Sequence, residues 1–272
     1  MGIHGLSRLA AVKRHFLLAC LALFLAATGQ AHAAPAGIPA YAHVLVVILE
    51  NHSFNQIFER ADAPYLRKLA KGGAVFTRSY GVRHPSQPNY LALFSGSTHG
   101  VSDDNPHDLA GPNLASSLVA AGKSFAGYIE VGSPRKHNPW ESFAGAAAFE
   151  KPLSAFPSRF DSLPSVAFVI PNLTHDMHDG TVGQADTWLE AHLGGYAQWA
   201  KGHNSLLIVT FDESDDASDQ RILTLLYGAG IRPGQYAEKI DHYAVLRTIE
   251  AIEGVQPLGK SAGAGVIKGP WR

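Results

Sequence analysis

The chain has 272 residues, of which 22 are basic, 23 acidic and 46% hydrophobic. Its formal charge of −1 gives no electrostatic case for nucleic acid or an anionic membrane surface as a partner. Its single cysteine, Cys20, excludes an internal disulfide framework.

Arg8, Lys13 and Arg14 precede an apolar run from Phe16 to Ala27, and Ala31-His32-Ala33 then supplies a small-x-small cleavage pattern. Residues 1–33 therefore read as a signal peptide, because the run of about a dozen apolar residues is too short for a membrane span. Export to the periplasm or beyond is expected, with no stable membrane insertion. Leu17-Leu18-Ala19-Cys20 loosely resembles a lipid-attachment box, but that reading leaves almost no apolar core after Arg14. Cys20 would leave with the signal. Residues 34–272 then carry 19 basic against 23 acidic residues and keep eleven of the fourteen histidines. That histidine content makes a metal or anion site worth seeking. The remaining length, about 240 residues, suits one domain.

In chain order, apolar runs predict strands at His43–Leu49, Phe125–Ile129, Val166–Ile170, Leu206–Phe211 and Ile222–Tyr227. They are rich in Val, Ile and Leu without polar alternation, as strands covered on both faces are. Helices are predicted between them. Asp62-Ala63-Pro64 opens one that Gly72-Gly73 closes, and Asn113 caps Leu114–Ala121 before Gly122. Ala185–Ala200 and His242–Glu253 form two more, the last ended by Gly254. This alternation predicts an α/β fold, a three-layer sandwich around a mostly parallel sheet. The Pro-, Ser-, Ala- and Phe-rich stretch 132–163 reads as an irregular, lid-like excursion over the active face.

Ligands of open α/β sheets gather beyond the carboxyl ends of the strands. Glu50-Asn51-His52-Ser53 follows the first strand, and a carboxylate beside an amide oxygen makes a hard donor pair for a divalent cation. A helix cap followed by surface loop is the ordinary alternative. Asp212-Glu213-Ser214-Asp215-Asp216 follows Leu206–Phe211. Adjacent carboxylates at a buried strand end repel strongly without a cation. A solvated acidic turn accounts for Asp215, Asp216 and Asp219 better than for Asp212, which an apolar strand delivers from the core. In His84-Pro85-Ser86-Gln87-Pro88-Asn89-Tyr90, the chain reads as helix from Asn89 onward. Ser86 then stands at a helix N-terminus, which favours an anion. A plain capping serine is the ordinary alternative, and ligation of a metal would activate the hydroxyl.

The stretches HVLVVILENHSFNQIF, HPSQPNYLALFSGS, PNLTHDMHDG, LLIVTFDES and DHYAVLRTIE span nearly the whole chain after the signal, in order. Together they resemble the bacterial phosphoesterase family of acid phosphatases and C-type phospholipases, within the alkaline phosphatase superfamily. The resemblance implies one divalent metal, of unspecified identity, held by Glu50, Asn51, Asp212 and Glu213. It also implies Ser86 as nucleophile of a phosphoserine intermediate, with Asn89 against non-bridging phosphate oxygens. Two-zinc members of the superfamily carry an Asp-His pair after a late strand. Here Asp212-Glu213 stands instead, which favours one metal.

His178 is the candidate acid for the leaving oxygen, with a loop-buttressing histidine as its ordinary alternative. His84 is a candidate phosphate contact. His242, beside Asp241, joins the candidate substrate-binding residues as an orienting group, and His52 reads as a supporting or capping group. His99, His107, His137, His175, His192 and His203 read as ordinary polar residues, His137 being the foremost exception because it lies in the excursion. A sulfatase needs arginine where Tyr90 stands. The expected activity is therefore hydrolysis of small phosphomonoesters. A C-type phospholipase diesterase and a non-catalytic periplasmic binding protein are the alternatives.

Overall fold

A computed structural model describes residues 37–58, 62–215 and 219–272. The segment read as a signal peptide lies outside the described residues, as does Asp216. The strands are β1 (His43–Leu49), β2 (Ala74–Tyr80), β3 (Phe125–Ile129), β4 (Glu150–Pro152) and β5 (Val166–Ile170), then β6 (Ser205–Phe211), β7 (Arg221–Gly228) and β8 (Gly234–Asp241). They form one sheet in the order β4-β3-β5-β1-β6-β7-β2-β8. Only β7 runs against the others, pairing antiparallel with β6 and β2. The mostly parallel α/β sheet is the one predicted from the alternation of strand and helix.

Successive residues of a strand point to opposite faces, and β1 feeds both sides of the core accordingly. Val44, Val46 and Ile48 pack with helices α3 (Gln87–Ser95), α4 (Leu114–Ala120) and α6 (His242–Glu253). Leu45, Val47 and Leu49 pack with α1 (Phe54–Phe58), α2 (Pro64–Gly72) and α5 (Val182–Ala200). Helices on both faces explain why the central strands read as continuous apolar runs.

Helix ends follow local chemistry. Asn113 and Ser116 form a reciprocal capping box at the start of α4, and Thr181 and Gln184 form one at the start of α5. The Thr181 box starts α5 three residues earlier than the apolar pattern alone suggests. Gly254 ends α6 in the left-handed conformation, φ 67°.

The excursion 132–163 runs through short 3-10 turns and the three-residue β4. Its first part is bound into the core by Trp140 and Phe143, which are fully buried beside Phe94 and Phe125. Gly127 of β3 makes room for this anchor, since a Cβ there would lie 2.3 Å from the Trp140 ring.

Candidate functional site

The register of the sheet assembles the site. Leu49 of β1 is paired with Phe211 of β6, so Glu50 and Asp212 leave adjacent strand ends side by side. The Asp212 amide donates to Leu49 O at 2.9 Å, and the Glu50 amide donates to Asp176 O at 2.8 Å. Asn51 takes a left-handed conformation, φ 50°, which suits asparagine. Its amide donates to Asp212 Oδ1 at 3.1 Å.

Ser86 occupies the N-cap of α3, yet its side chain makes no capping bond. Its Oγ lies 3.0 Å from Glu50 Oε2 and 3.3 Å from Glu213 Oε1, in reach to donate to either. All nine residues of α3 are buried, so this helix presents the serine from inside the core. The Gln87 amide in the first turn donates to Asp104 Oδ1 at 3.0 Å, and Lys136 Nζ bridges to the other Asp104 oxygen at 2.9 Å.

Glu50, Asp176, Asp212 and Glu213 are all buried, three of them at no more than 1% exposure. Burial pushes the carboxyls of Glu50 and Asp212 well above the usual range, and neighbouring carboxylates push them further. Burial likewise raises Asp176 and Glu213 to about 7. His137 is held well below its ordinary value by burial, with the Lys136 charge adding to the effect. Its Nε2 lies 3.3 Å from Glu50 Oε1 and its Nδ1 3.3 Å from Asp176 Oδ2. These three side chains bring one ligand atom each within 4.8 Å of one another.

The donor set fits a metal ion. Asp176 Oδ2, Asp212 Oδ2 and both ring nitrogens of His137 are buried without a hydrogen-bond partner. Buried carboxylates that repel one another, beside a neutral imidazole, are stabilised when a cation joins them. A buried Glu/His/Asp group here could therefore hold a metal.

The other residues singled out in the sequence distribute as follows. Glu213 reaches the same cluster, but its Oε2 is engaged by His84 Nδ1 at 2.7 Å. His84 Nε2 is buried and unpartnered. The Asn89 amide is engaged at both ends: Oδ1 accepts from the Val82 amide at 2.7 Å, and Nδ2 donates to Arg83 O at 2.6 Å. It holds the turn before Ser86 in this arrangement. His242 is buried, with Nε2 against the Asp212 carbonyl oxygen. His178 stands at the rim, its ring 6.1 Å from that of His137 and its Nδ1 2.7 Å from Asp179 Oδ1. His52 bonds the Glu50 carbonyl oxygen at 2.9 Å.

Four residues at the site carried little or no sequence signal. His137 and Lys136 lie in the irregular excursion, and Asp176 lies in a loop. Tyr90 donates its hydroxyl to Glu50 Oε1 and stacks on His137 at 5.0 Å with an 11° tilt. The i, i+4 spacing of Ser86 and Tyr90 on a helix could have placed both on one side of it.

Residues 56–256 match the phosphoesterase family. A phosphatidylinositol-3-phosphatase from Mycobacterium tuberculosis is 43% identical over 92% of this chain and 90% of its own length. A phosphate-repressible acid phosphatase from Penicillium chrysogenum is 30% identical over 75% of this chain, which spans 58% of that protein. Among solved structures, an alkaline phosphatase superfamily protein from Vibrio parahaemolyticus superimposes with a TM-score of 0.60 at 13% identity. That match covers 89% of this chain and 75% of the other. The chain therefore belongs to the phosphoesterase family, as a phosphoric ester hydrolase on an alkaline phosphatase-superfamily fold.

Proposed function

We propose that the chain is an exported, metal-dependent phosphomonoesterase that attacks its ester through Ser86. One observation carries the reading: a buried serine at a helix N-terminus leaves the cap bond unmade and faces two carboxylates instead. Export rests on the pattern of residues 1–33. The phosphatase names of the relatives, one of them a phosphatidylinositol-3-phosphatase, support hydrolysis of phosphate monoesters.

Glu50, Asn51, Asp212 and Glu213 are the sequence-derived set for the metal, and His137 and Asp176 adjoin Glu50 as further donors. A divalent ion held there would lower the proton affinity of the serine and offset phosphate charge. Ser86 Oγ attacks phosphorus while its proton passes to Glu50 or Glu213, both within reach. His84, whose buried Nε2 has no protein partner, is the candidate contact for a phosphate oxygen. Asn89 and His242 hold the Ser86 turn and the Asp212 backbone in register. His178 gives a proton to the departing alcohol, and water then releases phosphate from the phosphoserine.

The test is release of nitrophenol from nitrophenyl phosphate, with and without a chelator. Ser86→Ala and Asp212→Ala should each abolish turnover, and acid quenching should trap phosphate on Ser86. Full turnover in both variants, or label on a histidine, would overturn the mechanism. Preference for short-chain phosphatidylcholine over a soluble monoester would overturn the substrate class.

A further inference from the structure

A phosphate ester brings negative charge to a centre lined by Glu50, Asp176, Asp212 and Glu213, all of them buried. The N-terminus of α3 is the ordinary source of donors for that charge, yet its first turn has none to spare. The Gln87 amide is taken by Asp104 Oδ1 at 3.0 Å, and the Asn89 amide donates back to Ser86 O at 2.9 Å. Pro88, between them, has no amide proton. The Asn89 side chain is committed to the backbone of Val82 and Arg83. Apart from a bound metal, positive charge must then come from a side chain.

Lys136 stands where it can supply it. Its Nζ bonds the second oxygen of Asp104 at 2.9 Å, so one carboxylate ties the ammonium to the amide that directly follows the nucleophile. The two bonds hold Nζ within about 8 Å of the Gln87 nitrogen. An ammonium has three donors, and Asp104 takes one of them. The side chain is 19% exposed, so it borders solvent as the four carboxylates beneath it do not. Against the larger effect of burial, its charge draws the carboxyls of Glu50, Asp176 and Glu213 downward. Burial works against the ammonium too, but Asp104, Glu50 and Asp212 outweigh it.

Holding the excursion in place does not require this lysine. Arg135 ties it to Asp108 at 2.6 Å and to the carbonyl oxygens of His107 and Glu141 at 3.3 and 3.1 Å. Trp140 anchors it in the core. The loop that carries Asp104 is also held without its carboxylate. With its nitrogen turned inward, the buried Gln87 side chain donates to Asp103 O at 3.2 Å and to Asn105 O at 2.7 Å. The Asp104–Lys136 pair is therefore left to orient a charge.

We propose that Lys136, positioned by Asp104, meets the second negative charge of a phosphate monoester and so selects monoesters over singly charged diesters. This rests on the phosphomonoesterase reading and adds to it the residue that reads substrate charge. Binding tests it without turnover. The full Ser86→Ala chain is titrated by calorimetry with phenyl phosphate and with methyl phenyl phosphate, which differ by one charge at about pH 8. Adding Lys136→Gln should lower the ratio of the two affinities about tenfold, whereas Lys136→Arg, which keeps the charge, should hold it within threefold. A ratio that stays within threefold in the Gln variant, or falls as far in the Arg variant, would overturn the proposal. So would a starting chain that binds neither ester.

Asp104→Asn keeps an acceptor for the Gln87 amide but loosens the ammonium. It should lower the ratio as well, and add nothing to Lys136→Gln in the double variant; additive losses would refute the positioning role. If the wild-type chain releases no nitrophenol from nitrophenyl phosphate, the phosphomonoesterase reading fails alone, because the affinity ratio does not depend on turnover.

Discussion

Tyr90→Phe isolates one hydrogen bond at the centre of the site. The tyrosine is 1% exposed and Glu50 0%, so water cannot replace the lost hydroxyl. Phenylalanine keeps the ring and its stack on His137 at 5.0 Å. Only the donor to Glu50 Oε1 disappears, leaving that oxygen with His137 Nε2 at 3.3 Å. A buried hydrogen bond to a charged group contributes about 1.5–3 kcal/mol, or roughly a 10- to 150-fold change in an equilibrium or a rate. The tyrosine touches no substrate in the mechanism above. The loss should therefore fall on kcat and on apparent metal affinity, with KM for nitrophenyl phosphate nearly constant. Steady-state kinetics across a metal titration, with thermal melts of both proteins, would measure it. If kcat and metal affinity stayed within threefold of wild type, the argument that Tyr90 orients Glu50 would be wrong.

Two further perturbations separate stability from activity. Asp212→Asn removes one of the mutually repelling buried carboxylates, so it should raise the Tm of the metal-stripped protein while abolishing turnover; an unchanged or lower Tm would contradict the repulsion argument. Glu250 in α6 is raised from its ordinary 4.5 to about 7 by burial, although Ser261 and the Leu258 amide bind it. The unfolded chain therefore ionises first as pH rises. Stability should fall by ~3 kcal/mol across the window from about 4.5 to about 7, and urea unfolding of Glu250→Gln should show a flatter pH profile there.

The parts of the fold legible in the sequence are those whose burial is uniform. β1, β3 and β5 run between the same residues in sequence and structure, because helices cover both faces and the apolar run has clear ends. β8 is different. It is an edge strand with a mostly exposed, polar sequence, GQYAEKID, and only its pairing with β2 makes it a strand. β2 itself, AVFTRSY, mixes buried and exposed positions without a clean alternation.

The site divides the same way. Glu50, Ser86 and Asp212 each follow or begin an element that the apolar pattern delimits, so their placement could be argued locally. His137 and Asp176 reach Glu50 only because β5 lies next to β1 in the sheet and because Trp140 anchors the excursion. Strand order and a side chain buried across the sheet are long-range facts that no window of neighbouring residues contains.

That anchor also divides the excursion into two regimes of tolerance. Trp140, Phe143 and Ala146 are buried within nine residues of His137, whereas between Ala146 and Leu163 no residue is buried. Within 147–162, Glu150 of β4 accepts from Trp140 Nε1 at 2.7 Å. Phe149, Leu153, Phe156 and Phe160 pack against the core, so changes of length fit only at exposed points such as Ser154-Ala155 and Ser158-Arg159. The outer stretch can thus drift at those exposed points alone, while a single bulky replacement at Gly127 would dislodge the indole and be felt at the acidic centre.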